Sequence, residues 1–169
     1  MSTPRVVIAP GTRVEPGRIR AVVFDFDGVM TDNAVYVDQN GVESVRCSRG
    51  DGMGVGRLRA AGVFCAVLSK EQNLVVSARC KKLSIPCRQG VDDKLPALIA
   101  WMAELGFAQA DVAYVGNDVN DLDCLGWAGT AIAVADAEPE VLAATRIHTV
   151  RLGGHGAVRD ICEWIIAAR

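Results

Sequence analysis

Asp25 and Asp27 stand two residues apart at the end of the apolar run Ala21-Val22-Val23-Phe24, and Gly28 follows them. One carboxylate of such a pair can attack an electrophile while the other handles a proton, and the glycine lets the backbone turn sharply beneath both. Taken alone, Asp-Phe-Asp-Gly is equally well a solvated loop. Three more apolar runs also end in chemistry-bearing residues. Val63–Leu68 ends in Ser69, whose hydroxyl and backbone N–H are placed to receive a phosphate oxygen, although a serine there is more often a helix cap. Lys94 opens an amphipathic stretch after Val91-Asp92-Asp93, where it opposes the helix dipole unless an anion meets it. Val112–Val115 runs into Gly116-Asn117-Asp118-Val119-Asn120-Asp121, a cluster of oxygen ligands suited to a hard cation such as Mg²⁺, or a turn with an Asn or Asp cap.

Four polar strand ends in succession require a framework that gathers them. Short β-type runs at 21–26, 63–68, 112–115 and 131–134 are almost wholly apolar, as strands covered on both faces are, and 147–150 is a weaker edge candidate. Leu95, Leu98, Ile99, Met102 and Leu105 recur at helical spacing, as do Val158, Ile161, Cys162 and Ile165. Further helices are expected over 73–83 and from Asn120 to about Trp127. Alternation of this kind predicts an α/β fold, a Rossmann-like doubly wound parallel sheet whose ligand crevice lies at the carboxyl ends of its strands. One stretch departs from it: Val35–Val37 and Val42–Cys47 flank Asp38-Gln39-Asn40-Gly41, a β-hairpin signal with Asn-Gly at its tip. Residues 1–19, with Pro4, Pro10 and Pro16, read as an extended arm, leaving 20–169 as the single catalytic-type domain.

Composition narrows the classes. The 169 residues carry 18 Lys plus Arg against 20 Asp plus Glu with no long block of either sign, so no nucleic-acid-binding field is expected. Apolar runs such as Val63–Leu68 are far short of the ~20 residues a membrane helix needs, and the reading is a soluble, cytoplasmic protein without a membrane partner. The six cysteines lack any CxxC spacing and read as reduced residues.

These residues resemble the haloacid dehalogenase superfamily from about Arg20 onward: Asp25-Phe26-Asp27-Gly28-Val29 matches its first motif, Ser69 the second, Lys94 the third and Gly116–Asp121 the fourth. The resemblance implies a Mg²⁺-dependent phosphohydrolase with Asp25 as nucleophile and Asp27 as general acid/base. It implies a metal site of Asp25, the Asp27 carbonyl and the residue after Gly116, which is Asn117 where the family usually has aspartate. Either Asn117 ligates more weakly or Asp118 takes over, with Asp121 orienting a metal-bound water or Lys94. About 35 residues separate Asp27 from the next core strand, too few for a cap domain.

Asp-Gly-Val-x-Thr-Asp, the hairpin and Gly153-Gly154-His155-Gly156-Ala157 are similar to capless phosphatases of phosphorylated sugar acids, 3-deoxy-octulosonate 8-phosphate or nonulosonate 9-phosphates, and to the tail domain of some acylneuraminate cytidylyltransferases. Those phosphatases are homotetramers whose hairpins pack together and whose subunits close each other's sites. Lys70-Glu71 after Ser69, with Arg79 and Lys82 further along, resembles the nonulosonate branch: Arg79 would hold the substrate carboxylate, Glu71 the sugar hydroxyls, and Lys82 would assist. Arg49 and Asp51, in Arg49-Gly50-Asp51-Gly52, are placed to reach substrate or form a flexible loop, and His155 stands where the related enzymes carry an anion-gripping Arg. A feebly active oligomerisation module is the rival reading, motivated by Asn117 and His155. A mutase or phosphonatase on the same core is disfavoured because each relies on a cap to exclude water.

Overall fold

The computed structural model describes residues 5–169. Its nine strands are β1 (Val6–Ile8), β2 (Ala21–Phe24), β3 (Thr31–Val37), β4 (Glu43–Cys47), β5 (Phe64–Leu68), β6 (Cys87–Arg88), β7 (Val112–Gly116), β8 (Thr130–Ala133) and β9 (Ile147–Thr149). Its six α-helices are α1 (Arg49–Ala60), α2 (Val75–Leu83), α3 (Lys94–Glu104), α4 (Leu122–Trp127), α5 (Pro139–Ala144) and α6 (Ala157–Ile166).

Seven strands form one sheet in the order β1-β9-β8-β7-β2-β5-β6, parallel throughout except for β1. All four residues of β2 and all five of β7 are buried, which explains why both runs carry no polar alternation. From β2 the chain runs outward through β5 and β6, then returns to the other side of β2 with β7, so the strand order reverses beside β2. A crevice opens at such a reversal, outside the carboxyl ends of the strands. No cap domain intervenes: the segment between β2 and β5 holds only the two-stranded β3–β4 sheet and α1.

Three expectations change. The arm is not free, because Val6–Ile8 pairs antiparallel with β9, and Val6 is buried. Ile147–Thr149 is accordingly an inner strand and β1 is the edge; residues 1–4 of the expected arm lie outside the described residues. Arg49–Gly52, read as reaching substrate or forming a flexible loop, is the first turn of the one helix expected in this segment, Arg49–Ala60, which forms despite four glycines, each worth roughly 1 kcal/mol against helix formation relative to alanine. Packing overrides that cost. A Cβ on Gly54 would come within 2.8 Å of the Arg159 side chain, so the glycine is what lets α1 approach α6. Asp51 fastens the same junction, its Oδ1 accepting from Arg159 N at 2.8 Å. On the inner face of α6, Val158, Ile161 and Ile165 are fully buried, at roughly 1.5–3 kcal/mol each.

All six cysteines are free, and among the described residues no helix is long and apolar enough to cross a membrane.

Candidate active site

The crevice outside β2 and β5 is a cavity of about 470 Å³ lined by Asp25, Asp27, Ser69, Lys70 and Glu71 together with Gln72 and Asn120. Asp25 follows β2 directly and is only 5% exposed. Its backbone N–H donates to Val115 O across the sheet, so the strand pairing itself fixes where the carboxylate emerges. Gly28 turns the chain with φ +77° while its N–H donates to Thr31 Oγ1.

Lys94, the first residue of α3, is also buried, and its Nζ lies 2.8 Å from both Asp25 Oδ1 and Asp121 Oδ1. Tyr114 hydroxyl donates to the same Asp121 oxygen at 2.8 Å, and Asp121 Oδ2 accepts from the N–H groups of Asn117 and Asp118. A fully buried carboxylate is tolerable only with such partners. Burial raises the Asp25 carboxyl to about 7, and the Asp121 charge adds to this while Lys94 opposes it. Burial also works against charge on Lys94, but Asp25 and Asp121 outweigh it and hold the ammonium above its ordinary range. Asp27 is raised too, first by burial and next by the charge of Glu71, with the Thr31 side chain opposing. A carboxyl that keeps its proton more readily is suited to protonating a leaving group.

One terminal atom of the buried Asn117 amide lies 3.2 Å from Asp25 Oδ2 and 2.9 Å from the Asp27 carbonyl oxygen. With the amide oxygen in that position, three oxygens converge with no proton among them, a hard donor set that fits a cation such as Mg²⁺. The surrounding charge agrees: Asp25, Asp121 and Glu71 outnumber Lys70 and Lys94 even with Asp27 protonated, so a phosphate dianion would meet net repulsion without an added cation. The two other residues expected at the metal are placed differently. Asp121 is saturated by its four donors and, of the two roles expected for it, is placed for the one on Lys94. Asp118 accepts from Val119 N and caps its own turn.

Other expected site residues depart further. Ser69 donates its backbone N–H to Arg88 O, which leaves only the hydroxyl for a ligand. Arg79 faces away from the cavity, donating to Ser48 O at the start of α1, because the helix begins at Val75 and turns this position toward the β4–α1 junction. Lys82 is exposed on the same helix, Arg49 is exposed on α1, and Asp51 is 1% exposed, held at the α1–α6 contact. His155 Nδ1 lies 2.8 Å from Gly153 O and therefore carries the proton, leaving Nε2 to accept from Arg46 at 3.2 Å. With its own proton committed to Gly153, it is not an anion-gripping group.

The structure adds residues that sequence reasoning missed. Glu71 and Asp27 also line a second cavity of about 300 Å³ beside the first, closed by Asn33, Glu43 and Val45 of the hairpin and by Asn73. Asn73 Nδ2 donates to Glu43 Oε2 at 3.3 Å and joins the two walls. Asn33 adopts φ +61°, where the register of β3 against β4 slips, a distortion found often beside active sites. Behind the turn at Gly28, a Cβ on Gly153 would overlap Gly28 O, so the Gly153-Gly154 backbone packs directly against it. A separate cavity of about 430 Å³, lined by residues that include Arg13, Arg18 and Arg146, lies away from this acid pair.

Comparison with known proteins agrees with the geometry. A family model described as haloacid dehalogenase-like hydrolase matches residues 84–156. The 3-deoxy-D-manno-octulosonate 8-phosphate phosphatase KdsC of Salmonella typhimurium is 31% identical over 163 residues, covering 96% of this chain and 87% of the relative. A putative hydrolase of the same superfamily from Streptomyces avermitilis superposes with TM-score 0.89 at 47% identity, covering 92% of this chain and 90% of that one. The 3-deoxy-D-manno-octulosonate 8-phosphate phosphatase from Moraxella catarrhalis, solved with magnesium, phosphate and KDO, superposes with TM-score 0.88 at 32% identity, covering 92% and 90%. An acid pair at the strand-order reversal, a buried lysine behind it and relatives aligned over nearly the whole length lead to one conclusion: this chain belongs to the haloacid dehalogenase-like hydrolases and is a phosphatase.

Proposed function

We propose that this phosphatase is a Mg²⁺-dependent phosphomonoesterase that hydrolyses the phosphate ester of a 2-keto-3-deoxy sugar acid through an aspartyl phosphate on Asp25. The observation that carries the proposal is the placement of Asp25 and Asp27 on one cavity, with Lys94 Nζ at 2.8 Å from the first carboxylate. A carboxylate oxygen of Asp25 attacks phosphorus as the ester P–O bond breaks, and Asp27 gives its proton to the departing alkoxide. Asp27, now ionised, takes a proton from water as that water attacks the aspartyl phosphate, which releases inorganic phosphate and restores both carboxyl groups. Lys94 holds Asp25 in place, and the Ser69 hydroxyl is free to donate to a phosphoryl oxygen. Asp25 Oδ2, the Asp27 carbonyl and the Asn117 amide oxygen are the groups that would hold Mg²⁺, which supplies positive charge against the phosphate. Positioning and charge neutralisation carry most of such a reaction.

The leaving group extends toward the second cavity, where Glu71, Glu43, Asn33 and Asn73 accept and donate to hydroxyls. Preference for a nonulosonate 9-phosphate needs Glu71, Arg79 and Lys82 to act together, and only Glu71 lines the cavities. The names of the relatives support 3-deoxy-octulosonate 8-phosphate as the first substrate to test. The hairpin exposes Val35, Tyr36, Val37 and Val42 at 52–63%, and covering them supports assembly as a homotetramer in which neighbouring subunits complete the site. The deciding experiment is kcat/KM for both sugar-acid phosphates and for p-nitrophenyl phosphate, with Mg²⁺ and with EDTA. The proposal expects a sugar-acid ester to exceed the aryl ester by about 100-fold or more; equal values for all three would remove the sugar-acid assignment, and full turnover in EDTA would remove the metal.

A further inference from the structure

We infer that the Asn117 side chain is a two-position switch: its amide nitrogen closes the site onto Asp25 and Asp27 when no cation is present, and its amide oxygen turns inward to ligate when one binds. The cation-bound half rests on the metal assignment made above; the metal-free half does not. One terminal amide atom sits 3.2 Å from Asp25 Oδ2 and 2.9 Å from the Asp27 carbonyl, both of which are acceptors only. With oxygen in that position the inner end of the amide faces acceptors, a clash that a cation between them would relieve, and the outer end faces donors. With nitrogen there, both N–H bonds are used and both ends are satisfied. Asn117 is 6% exposed, so water offers little relief from the first arrangement.

Only the amide has to move. Asn117 N donates to Asp121 Oδ2 at 3.0 Å and its carbonyl accepts from Glu138 N at 2.8 Å, which anchors the backbone on both sides. The terminal torsion of asparagine is broad and nearly two-fold, so a half turn exchanges nitrogen and oxygen at almost the same positions. Gly28 faces this side chain without a Cβ, and any Cβ there would overlap the amide.

A carboxylate at this position cannot work in the same way. It has no proton to give, and in the metal-free protein it would stand against Asp25 and the Asp27 carbonyl as a third unprotonated group. Asn117 therefore gives up one negative charge toward the cation and gains a site that holds its shape while empty. Asp25 is then gripped on Oδ1 by Lys94 and on Oδ2 by Asn117 before metal arrives.

The test uses the full chain, as wild type, Asn117→Asp, and the exchange variant carrying both Asp25→Asn and Asn117→Asp. In EDTA, Asn117→Asp should melt several degrees below wild type, and the exchange variant should recover most of that loss because an amide at position 25 donates to a carboxylate at 117. Calorimetric titration with MgCl₂ should show Asn117→Asp binding about 10-fold or more tightly than wild type, as one added charge in the ligand set implies. Should Asn117→Asp fail to fold, the side-chain NH₂ resonances of Asn117 in ¹⁵N-labelled wild type, identified by their loss in Asn117→Ala, decide the question. They should be protected from exchange in EDTA and shift with loss of protection on adding Mg²⁺. An unchanged melting temperature for Asn117→Asp in EDTA, or no recovery in the exchange variant, overturns the switch. Equal Mg²⁺ affinities also overturn it while leaving the metal assignment intact, whereas binding by neither protein overturns the metal assignment itself.

Discussion

Where β2 and β7 end, polar groups are buried and matched: Asp121 takes four donors, and Lys94 is held between two carboxylates at 2.8 Å each. On the β3–β4 hairpin, which forms one wall of the neighbouring cavity, the imbalance is of the opposite kind, since Val35, Tyr36 and Val37 are 52, 61 and 59% exposed. Low dielectric strengthens every contact in the first region and makes each one costly to lose. In the second, the favourable energy is still to be realised, by whatever covers the apolar surface. The difference teaches that the groups proposed to react are organised within one chain, while the proposed assembly would enclose the leaving group with surfaces that one chain leaves open.

Asp25→Asn should sharpen the contrast most. It removes the attacking carboxylate, so kcat should fall by about 1000-fold or more on any ester. The fold should persist, because the amide still accepts from Lys94 and burial disfavours the charge it replaces. Turnover on p-nitrophenyl phosphate together with calorimetric melting checks both halves; a variant retaining more than a few per cent of kcat takes Asp25 out of the nucleophile role. Lys94→Met follows closely. It leaves Asp25 and Asp121 buried without their shared cation, and removing one partner of such a cluster costs about 3–5 kcal/mol of stability. Urea unfolding would read it, and a loss under 1 kcal/mol would mean that the cluster is wetter than its burial indicates.

Tyr36→Asp tests the exposed region. Light scattering should show a tetramer for wild type and its loss in the variant, and kcat/KM for the sugar-acid ester should drop about 10-fold or more while the aryl ester changes little. Equal losses on both substrates would show that the hairpin supports the chemistry itself and would break the comparison. The smallest effect belongs to Asp51→Asn, at a junction that is buried yet imperfectly matched, since Asp51 Oδ2 has no hydrogen-bond partner. Burial raises the Asp51 carboxyl, while the Arg159 backbone N–H opposes the shift. A raised folded-state value means that its contribution is full below the unfolded value and is lost as pH rises through the folded one. The asparagine variant should therefore gain on wild type, by about 1 kcal/mol at most, between about pH 4 and about pH 8 in urea melts. A constant difference across that range would show that the group does not titrate differently on folding.

Much of the catalytic end is legible in the sequence because the apolar strands and their polar endings are contiguous: Phe24-Asp25, Leu68-Ser69 and Gly116-Asn117 each announce where a strand stops and a ligand crevice begins. What is hidden depends on neighbours far along the chain. Tyr114 reads as one more core residue of a buried strand, and only the fold shows its hydroxyl aimed at Asp121. Arg79 lies on the helix expected over 73–83, but helical spacing alone does not say which side meets the crevice and which meets Ser48. The start of α1 is obscured by its glycines, and β1 by its three-residue length and its pairing with a strand far along the sequence.

The direct backbone contact of Gly153 with Gly28 bears on how the enzyme comes into being on the ribosome. Asp25 and Asp27 follow β2, yet the surface that braces the turn after them belongs to the segment after β9 and is translated much later. A nascent chain that has emerged only as far as α5 carries the complete acid pair without its brace. A product truncated before Gly153 should therefore be inert although Asp25 and Asp27 are both present, because the turn at Gly28 would lack the backbone packed behind it.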